Sequence, residues 1–238
     1  MLSPDVTRLA FTVRDEKSKV LLYVRSLTSL TAQPLPGTDD AIYPFWSPDS
    51  RQIGFFAAGK LKKINVNANG GPPQDISDSV SGRGGTWSKD GVIVFTPSSN
   101  QNLFSVPAAG GTPEPASKLD VSKGENSHRW PWSLPDGKHF LYWSRTSRPG
   151  ESPVLYIGEL GSFQAKLLTK SETMAQYASG HLLTTFPFIE YDAGQYDAGQ
   201  VAMGVIVAQN PSSSSSARSH MFIVRPLVRS QPARQKKQ

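Results

Sequence analysis

The chain has 238 residues, enough for one medium domain or two small ones. Only 18% of residues are charged, while 20 glycines, 19 prolines and 10% aromatics exclude a coiled coil or wholesale disorder and indicate an all-β chain; the absence of cysteine excludes disulfides, zinc–thiolate centres and thiol nucleophiles. The net charge of +6 belongs to one end: six cations and no acid stand from Arg218 onward, leaving 19 cations against 19 acids over residues 1–217. A nucleic-acid-binding fold carries its positive charge on the folded face, so no nucleic-acid partner is expected and the basic end reads as a solvated tail.

Met1–Asp5 has no charged segment leading into an apolar run, so no export signal is expected there. The pattern that organises the chain starts at Ser3-Pro4-Asp5, followed by two apolar runs, Leu9-Ala10-Phe11 and Leu21–Val24. It returns as Phe45-Trp46-Ser47-Pro48-Asp49, followed by Ile53–Phe56 and Leu61–Val66. Thr86-Trp87-Ser88-Lys89-Asp90-Gly91 leads into Val92–Phe95 and Leu103–Val106. Trp130-Pro131-Trp132 and Leu134-Pro135-Asp136-Gly137 lead into Phe140–Trp143 and Leu155–Ile157. Ala178-Ser179-Gly180 is a weaker echo, followed by Leu182-Leu183. The Asp-to-Asp intervals are 44, 41 and 46 residues.

Proline presets a tight turn, aspartate bonds backbone N–H groups two residues on, and glycine takes the positive φ that a hairpin needs. The flanking β-branched and aromatic runs suit a half-buried pleated surface. We therefore read Asp5, Asp49, Asp90 and Asp136 as structural turn residues and each unit of about 43 residues as four short strands. Such a sheet covers both faces only by stacking on its neighbours, and radial stacking gives a β-propeller.

The residues Phe45–Phe56 and His128–Tyr142, with their aromatic, Ser-Pro-Asp or Leu-Pro-Asp turn and following apolar strand, resemble the TolB-like, WD-repeat-like propeller repeat. With Gly59–Ile64 and Gly82–Trp87, they are similar to the propeller region that follows the kinase domain and membrane span in bacterial, especially acidobacterial, serine/threonine kinases. The resemblance covers about residues 2–183. It implies an extracytoplasmic, periplasmic sensor or scaffold with a protein or peptide partner. The kinase activity is not carried over: no Gly-x-Gly-x-x-Gly loop is present, and His128-Arg129 is followed by Trp130 where a catalytic loop has Asp.

The expected architecture is thus an incomplete TolB-like β-propeller over 1–186, about four blades of six, with starts near Ser3, Ser47, Ser88 and Leu134 and the echo near Ser179. The first blade is expected to lack its innermost strand. Residues 187–238, with the duplicate Tyr191–Gln195 and Tyr196–Gln200 and the run Ser212–Ser216, read as an irregular or disordered tail. Val201–Ala208 is far short of the ~20 residues that span a bilayer, so no membrane insertion is expected. The reading treats the chain as a fragment of a longer protein, against a natural short protein with an interaction tail. Self-association through open blade ends is expected of either.

No catalytic residue is assigned. The Gly-x-Ser-x-Gly elbow of a serine hydrolase is absent. The histidines His128, His139, His181 and His220 have no ligand-like spacing, and one aspartate per turn supplies too few oxygens for calcium, so no metal or cofactor is expected. Gly82-Arg83-Gly84-Gly85 precedes no helix and so reads as a blade connection, not a phosphate cradle. Tyr43, Arg83, His128 and Arg129 all precede an innermost strand, where loops surround the channel mouth, and are the candidate ligand-binding residues. The opposing reading has Trp130 and Trp132 packing between blades with Arg129 paired locally. The functional expectation is a non-enzymatic module for a protein, peptide or small ligand. A propeller enzyme of lyase or lactonase type, or an assembly scaffold, is the alternative.

Overall fold

A computed structural model describes residues 1–67, 71–178 and 181–184, and the backbone alone of 203–207 and 220–224. The unit predicted from the turns is present. Strands β4 (Ile42–Trp46), β5 (Gln52–Ala57), β6 (Lys60–Asn65) and β7 (Gln74–Asp78) form one antiparallel sheet in chain order. Strands β8 (Gly85–Trp87), β9 (Val92–Phe95), β10 (Phe104–Pro107) and β11 (Glu114–Pro115) form the next. Strands β12 (Glu125–Ser133), β13 (His139–Thr146), β14 (Val154–Glu159) and β15 (Ala165–Lys170) form a third. Strands β1 (Arg8–Arg14), β2 (Val20–Ser26) and β3 (Ala32–Pro34) make the first sheet.

Beyond these, β16 (Ala175–Ala178) pairs with β17 (His181–Thr184), and β18 (Met203–Val207) pairs with β19 (His220–Val224). β18 lies beside β17, and the two hairpins form separate two-stranded sheets. Within 187–238, which the sequence reads as an irregular tail, the backbone of Met203–Val207 pairs with that of His220–Val224. Ser179, the Tyr-Asp-Ala-Gly-Gln duplicate, Ser212–Ser216 and the basic residues from Arg225 on lie outside the described residues.

The first sheet has three strands, and where the other blades carry an inner strand it has a single isolated bridge. Leu2 bridges Leu9, Ala10 N donates to Met1 O at 2.8 Å, and Trp46 Nε1 of the next blade donates to the same carbonyl at 3.1 Å.

Period-2 alternation sends successive residues of each second strand to opposite neighbours. Ile53 and Phe55 pack with Ala10, Leu22 and Val24 of the first blade, while Phe56 packs with Ile93 and Phe95 of the third. Val94 then meets Phe140, Tyr142 and Tyr156, and Leu141, Trp143 and Leu155 meet Ala175. Each blade's side chains complete its neighbour's core, and each such fully buried side chain contributes about 1.5–3 kcal/mol. Gly54 lets this happen between β4 and β5, because a Cβ there would lie 2.3 Å from the Phe45 ring. Leu9, Phe11, Val13, Leu21 and Tyr23, on the other face of the first blade, fall in none of the four cores.

Three of the four predicted turn aspartates act as expected. Asp5 Oδ1 accepts from Thr7 N at 3.1 Å, Asp49 Oδ1 from Arg51 N at 3.1 Å, and Asp136 Oδ1 from Lys138 N at 3.0 Å and His139 N at 2.9 Å. Asp90 does not: among the described residues its carboxylate makes no hydrogen bond. The third turn is one residue shorter, with Ser88 N bonded to Val92 O where Ser47 N reaches Gln52 O. The N–H two residues beyond Asp90 is therefore Val92 N, and Ser88 Oγ takes it at 3.2 Å.

Candidate functional site

The innermost strands share a distortion. The β4–β5 register passes from Ile42↔Phe56 to Phe45↔Gly54, and β12–β13 from Arg129↔Trp143 to Trp132↔Leu141, so each inner strand carries one extra residue. The backbone turns left-handed there, at Tyr43 (φ 50°) and Trp130 (φ 48°), and at Gly84 (φ 94°) just before β8. All three stand four residues before Ser47, Ser88 or Leu134. A bulky residue at positive φ costs on the order of 1–3 kcal/mol, and such strain gathers where a side chain must be aimed. Gly84 is glycine for a second reason, since a Cβ there would lie 2.7 Å from Trp130 Cδ1 and 3.0 Å from Trp130 Cα.

The bulged residues line a cavity of about 660 Å³ around the axis. Its wall takes Met1 and Leu2 from the first blade, Tyr43 and Pro44 from the second, and Gly84 and Gly85 from the third. Trp130, Pro131 and Trp132 follow from the fourth, and Glu172–Gln176 close the wall on the fifth side. Toward the Ser-Pro-Asp turns a second space of about 560 Å³ is lined by Trp46, Pro48, Trp87, Trp132, Pro135 and Tyr177 among others.

Of the predicted ligand residues, Tyr43 is 40% exposed on the cavity wall. Arg83 and Arg129 are half-buried and immediately precede the wall residues Gly84 and Trp130. Trp130 N donates to Arg83 O at 2.9 Å, which ties the two loops together. Arg129 Nε donates to Ser127 Oγ at 2.8 Å and its Nη2 to Ser99 O at 2.7 Å. Burial holds the Arg129 guanidinium below its usual value, and the positive charges of Arg145 and Arg83 push the same way against Tyr43.

His128 departs from expectation. Its side chain is 0% exposed and sits between blades, not at the mouth, because residues alternate along β12 and the bulge aims the next ones at the axis. Both ring nitrogens are bonded, Nδ1 with Ser117 Oγ at 2.8 Å and Nε2 with Glu125 Oε2 at 3.2 Å. Tyr156 donates to Glu125 Oε1 at 2.9 Å, and Asp120 N to Glu125 Oε2 at 2.8 Å. Burial pushes Glu125 up, but the bonds from His128, Asp120 N and Tyr156 outweigh it and hold the carboxyl below its usual range. Burial drives the hydroxyls of Tyr142 and Tyr156 well above the usual phenol value. This cluster is a satisfied buried polar network joining the third and fourth blades.

Sequence reasoning missed Arg145, which pairs across from Ser127 on β13, and the wall residues Glu172 and Met174. The β13 register, which carries Arg145 to the mouth, has no mark in a single sequence. Among the described residues no group of three or more His, Asp or Glu is placed to hold a metal.

Comparison with solved structures confirms the architecture. The chain superposes on TolB from Acinetobacter baumannii with a TM-score of 0.64 at 12% identity, covering 87% of this chain and 50% of that one. A protein assigned as TolB from Agrobacterium tumefaciens gives 0.58 at 17% identity, covering 73% and 66%. An oligogalacturonate lyase from Vibrio parahaemolyticus gives 0.57 at 13%, covering 92% and 63%. The chain thus spans half to two thirds of the length of these structures, and it has the β-propeller fold that they share. No family model and no curated protein matches the sequence. Because these relatives include a lyase as well as TolB, the fold alone does not choose between binding and catalysis.

Proposed function

We propose that the chain is a non-enzymatic binding module that receives an extended protein or peptide segment at the mouth of its axial channel. The observation that carries this is the cavity wall of Tyr43, Pro44, Trp130, Pro131 and Trp132, two of whose members are held at positive φ. Large rigid aromatics give contact area at low entropic cost, as peptide-binding grooves require. The likeness of residues 2–183 to the propellers of bacterial serine/threonine kinases supports a sensor or scaffold role beside a separate catalytic domain.

A random peptide library displayed on phage and selected on the chain tests the reading. Enriched peptides should bind at least about tenfold more weakly to Trp130→Gly, a change that keeps the left-handed backbone and removes the aromatic wall. Failure to enrich any sequence, or equal binding to the variant, would refute it.

A further inference from the structure

The channel mouth carries three arginines and no carboxylate partner for any of them among the described residues. Arg83 precedes the left-handed Gly84, Arg129 precedes the bulged Trp130, and Arg145 pairs opposite Ser127, two residues from Arg129 along β12. None of the three takes part in an ion pair among the described residues. Arg129 is the fixed member: Ser127 and Ser99 hold its Nε and Nη2, which leaves Nη1 without a partner among the described residues. Arg83 uses only Nη1, on Gly82 O at 2.9 Å. The guanidinium of Arg145 is exposed and makes no hydrogen bond among the described residues.

Burial, and after it the like charges of Arg145 and Arg83, holds the Arg129 guanidinium below its usual value. Arg129 Nη1 and the exposed Arg145 guanidinium are left without a hydrogen-bond partner among the described residues. An anion completes such an arrangement, and the adjoining wall of Tyr43, Pro44, Trp130 and Pro131 fits an apolar body attached to it. Arginine is suited to this task, because its planar fork bonds a carboxylate with two parallel N–H groups.

We infer that Arg83, Arg129 and Arg145 form a carboxylate-recognition subsite at the channel mouth, so that the bound segment presents a carboxylate next to apolar side chains. The inference rests on the channel-binding reading and narrows its ligand. The carboxylate comes from a chain terminus or from an Asp or Glu side chain, and the two sources are separable.

The test follows tryptophan emission of the full chain during titration with four probes. They are acetyl-Leu-Pro-Leu with a free carboxylate, acetyl-Leu-Pro-Glu-Leu amide, its Gln counterpart, and inorganic phosphate. At least one carboxylate probe should bind about tenfold more tightly than the Gln amide, and the stronger one identifies the source. That advantage should shrink in about 0.5 M salt. Arg129→Gln should remove the difference in affinity between the stronger carboxylate probe and the Gln amide. Arg145→Gln, which breaks no internal bond among the described residues, should reduce it by about threefold without moving the melting temperature, and so guards against a folding defect in Arg129→Gln. Equal binding of all three peptides would overturn the carboxylate subsite and leave the channel reading intact. No response to any peptide would overturn the channel reading itself. Phosphate binding as tightly as the peptides would show a site for small free anions and overturn the inference as stated.

Discussion

The two ends of the axial channel are built on opposite plans. At the turn end, one small device recurs blade after blade: the residue closing the turn is left-handed at Val6, Ser50, Gly91 and Gly137, and an N–H of that residue bonds the carbonyl three residues back. At the mouth the same inner strands bulge, two bulky aromatics occupy the left-handed region, and arginines collect without acids. The turn end also joins its neighbours, with Asp5 N donating to Ser50 Oγ at 3.0 Å and Arg8 Nη2 to Ser50 O at 2.6 Å. The hydrogen-bonded turns carry the fold, while the strained left-handed aromatics at the mouth mark where the molecule departs from what folding alone requires.

The sharpest way to break that comparison is His128, which the sequence places at the mouth and the structure places in the wall between blades. His128→Leu leaves the buried Glu125 carboxylate without its ring partner and should cost about 3 kcal/mol in urea unfolding. His128→Leu combined with Glu125→Leu should recover part of that loss, since an apolar pair of similar volume needs no compensation. Peptide binding by whatever fraction stays folded should be unchanged. A ligand defect without a stability defect would return His128 to the mouth. Next in size is Gly84→Ala, where the added methyl meets Trp130 backbone and ring at positive φ. The expected cost is about 2 kcal/mol, with a shift in tryptophan emission because the Trp130 ring moves. An unperturbed spectrum would mean that the loops carrying Gly84 and Trp130 are not locked together.

The fold was legible because its signals are local. Each Ser-Pro-Asp or Leu-Pro-Asp-Gly turn and the apolar run after it lie within about ten residues, and an interval of 41–46 residues leaves few architectures for such units. The site was legible only in part. Tyr43 lines the cavity, as do its counterparts Gly84 and Trp130, whereas Arg83 and Arg129 stand one position before those two. A bulge shifts a strand by one residue, and one residue exchanges the faces, so His128 went to the core and Trp130 to the axis. Arg145 became visible only through cross-strand register. Asp90 was misread because a motif match ignores a one-residue deletion after it.

The smallest expected effects lie at the turns. The carboxyls of Asp5 and Asp136 are held at about 2, the first chiefly by hydrogen bonds from Ser3 and Thr7, the second chiefly by the His139 backbone N–H. A carboxyl depressed in the folded state stabilises it fully above the unfolded value of about 3.9, and that contribution disappears as pH falls toward the folded value. Thermal melts should therefore lose stability between about pH 4 and pH 2, and Asp136→Asn, which keeps an acceptor for Lys138 N and His139 N but no charge, should flatten that slope. Both aspartates are solvent-exposed, so the change is modest and salt-sensitive. At neutral pH the comparison between turns is more direct. Asp136→Ala removes an occupied acceptor and should cost about 1 kcal/mol, whereas Asp90→Ala should stay within about 0.5 kcal/mol. Equal losses would mean that Asp90 caps its turn after all, and that the shortened third turn is not what separates it from the others.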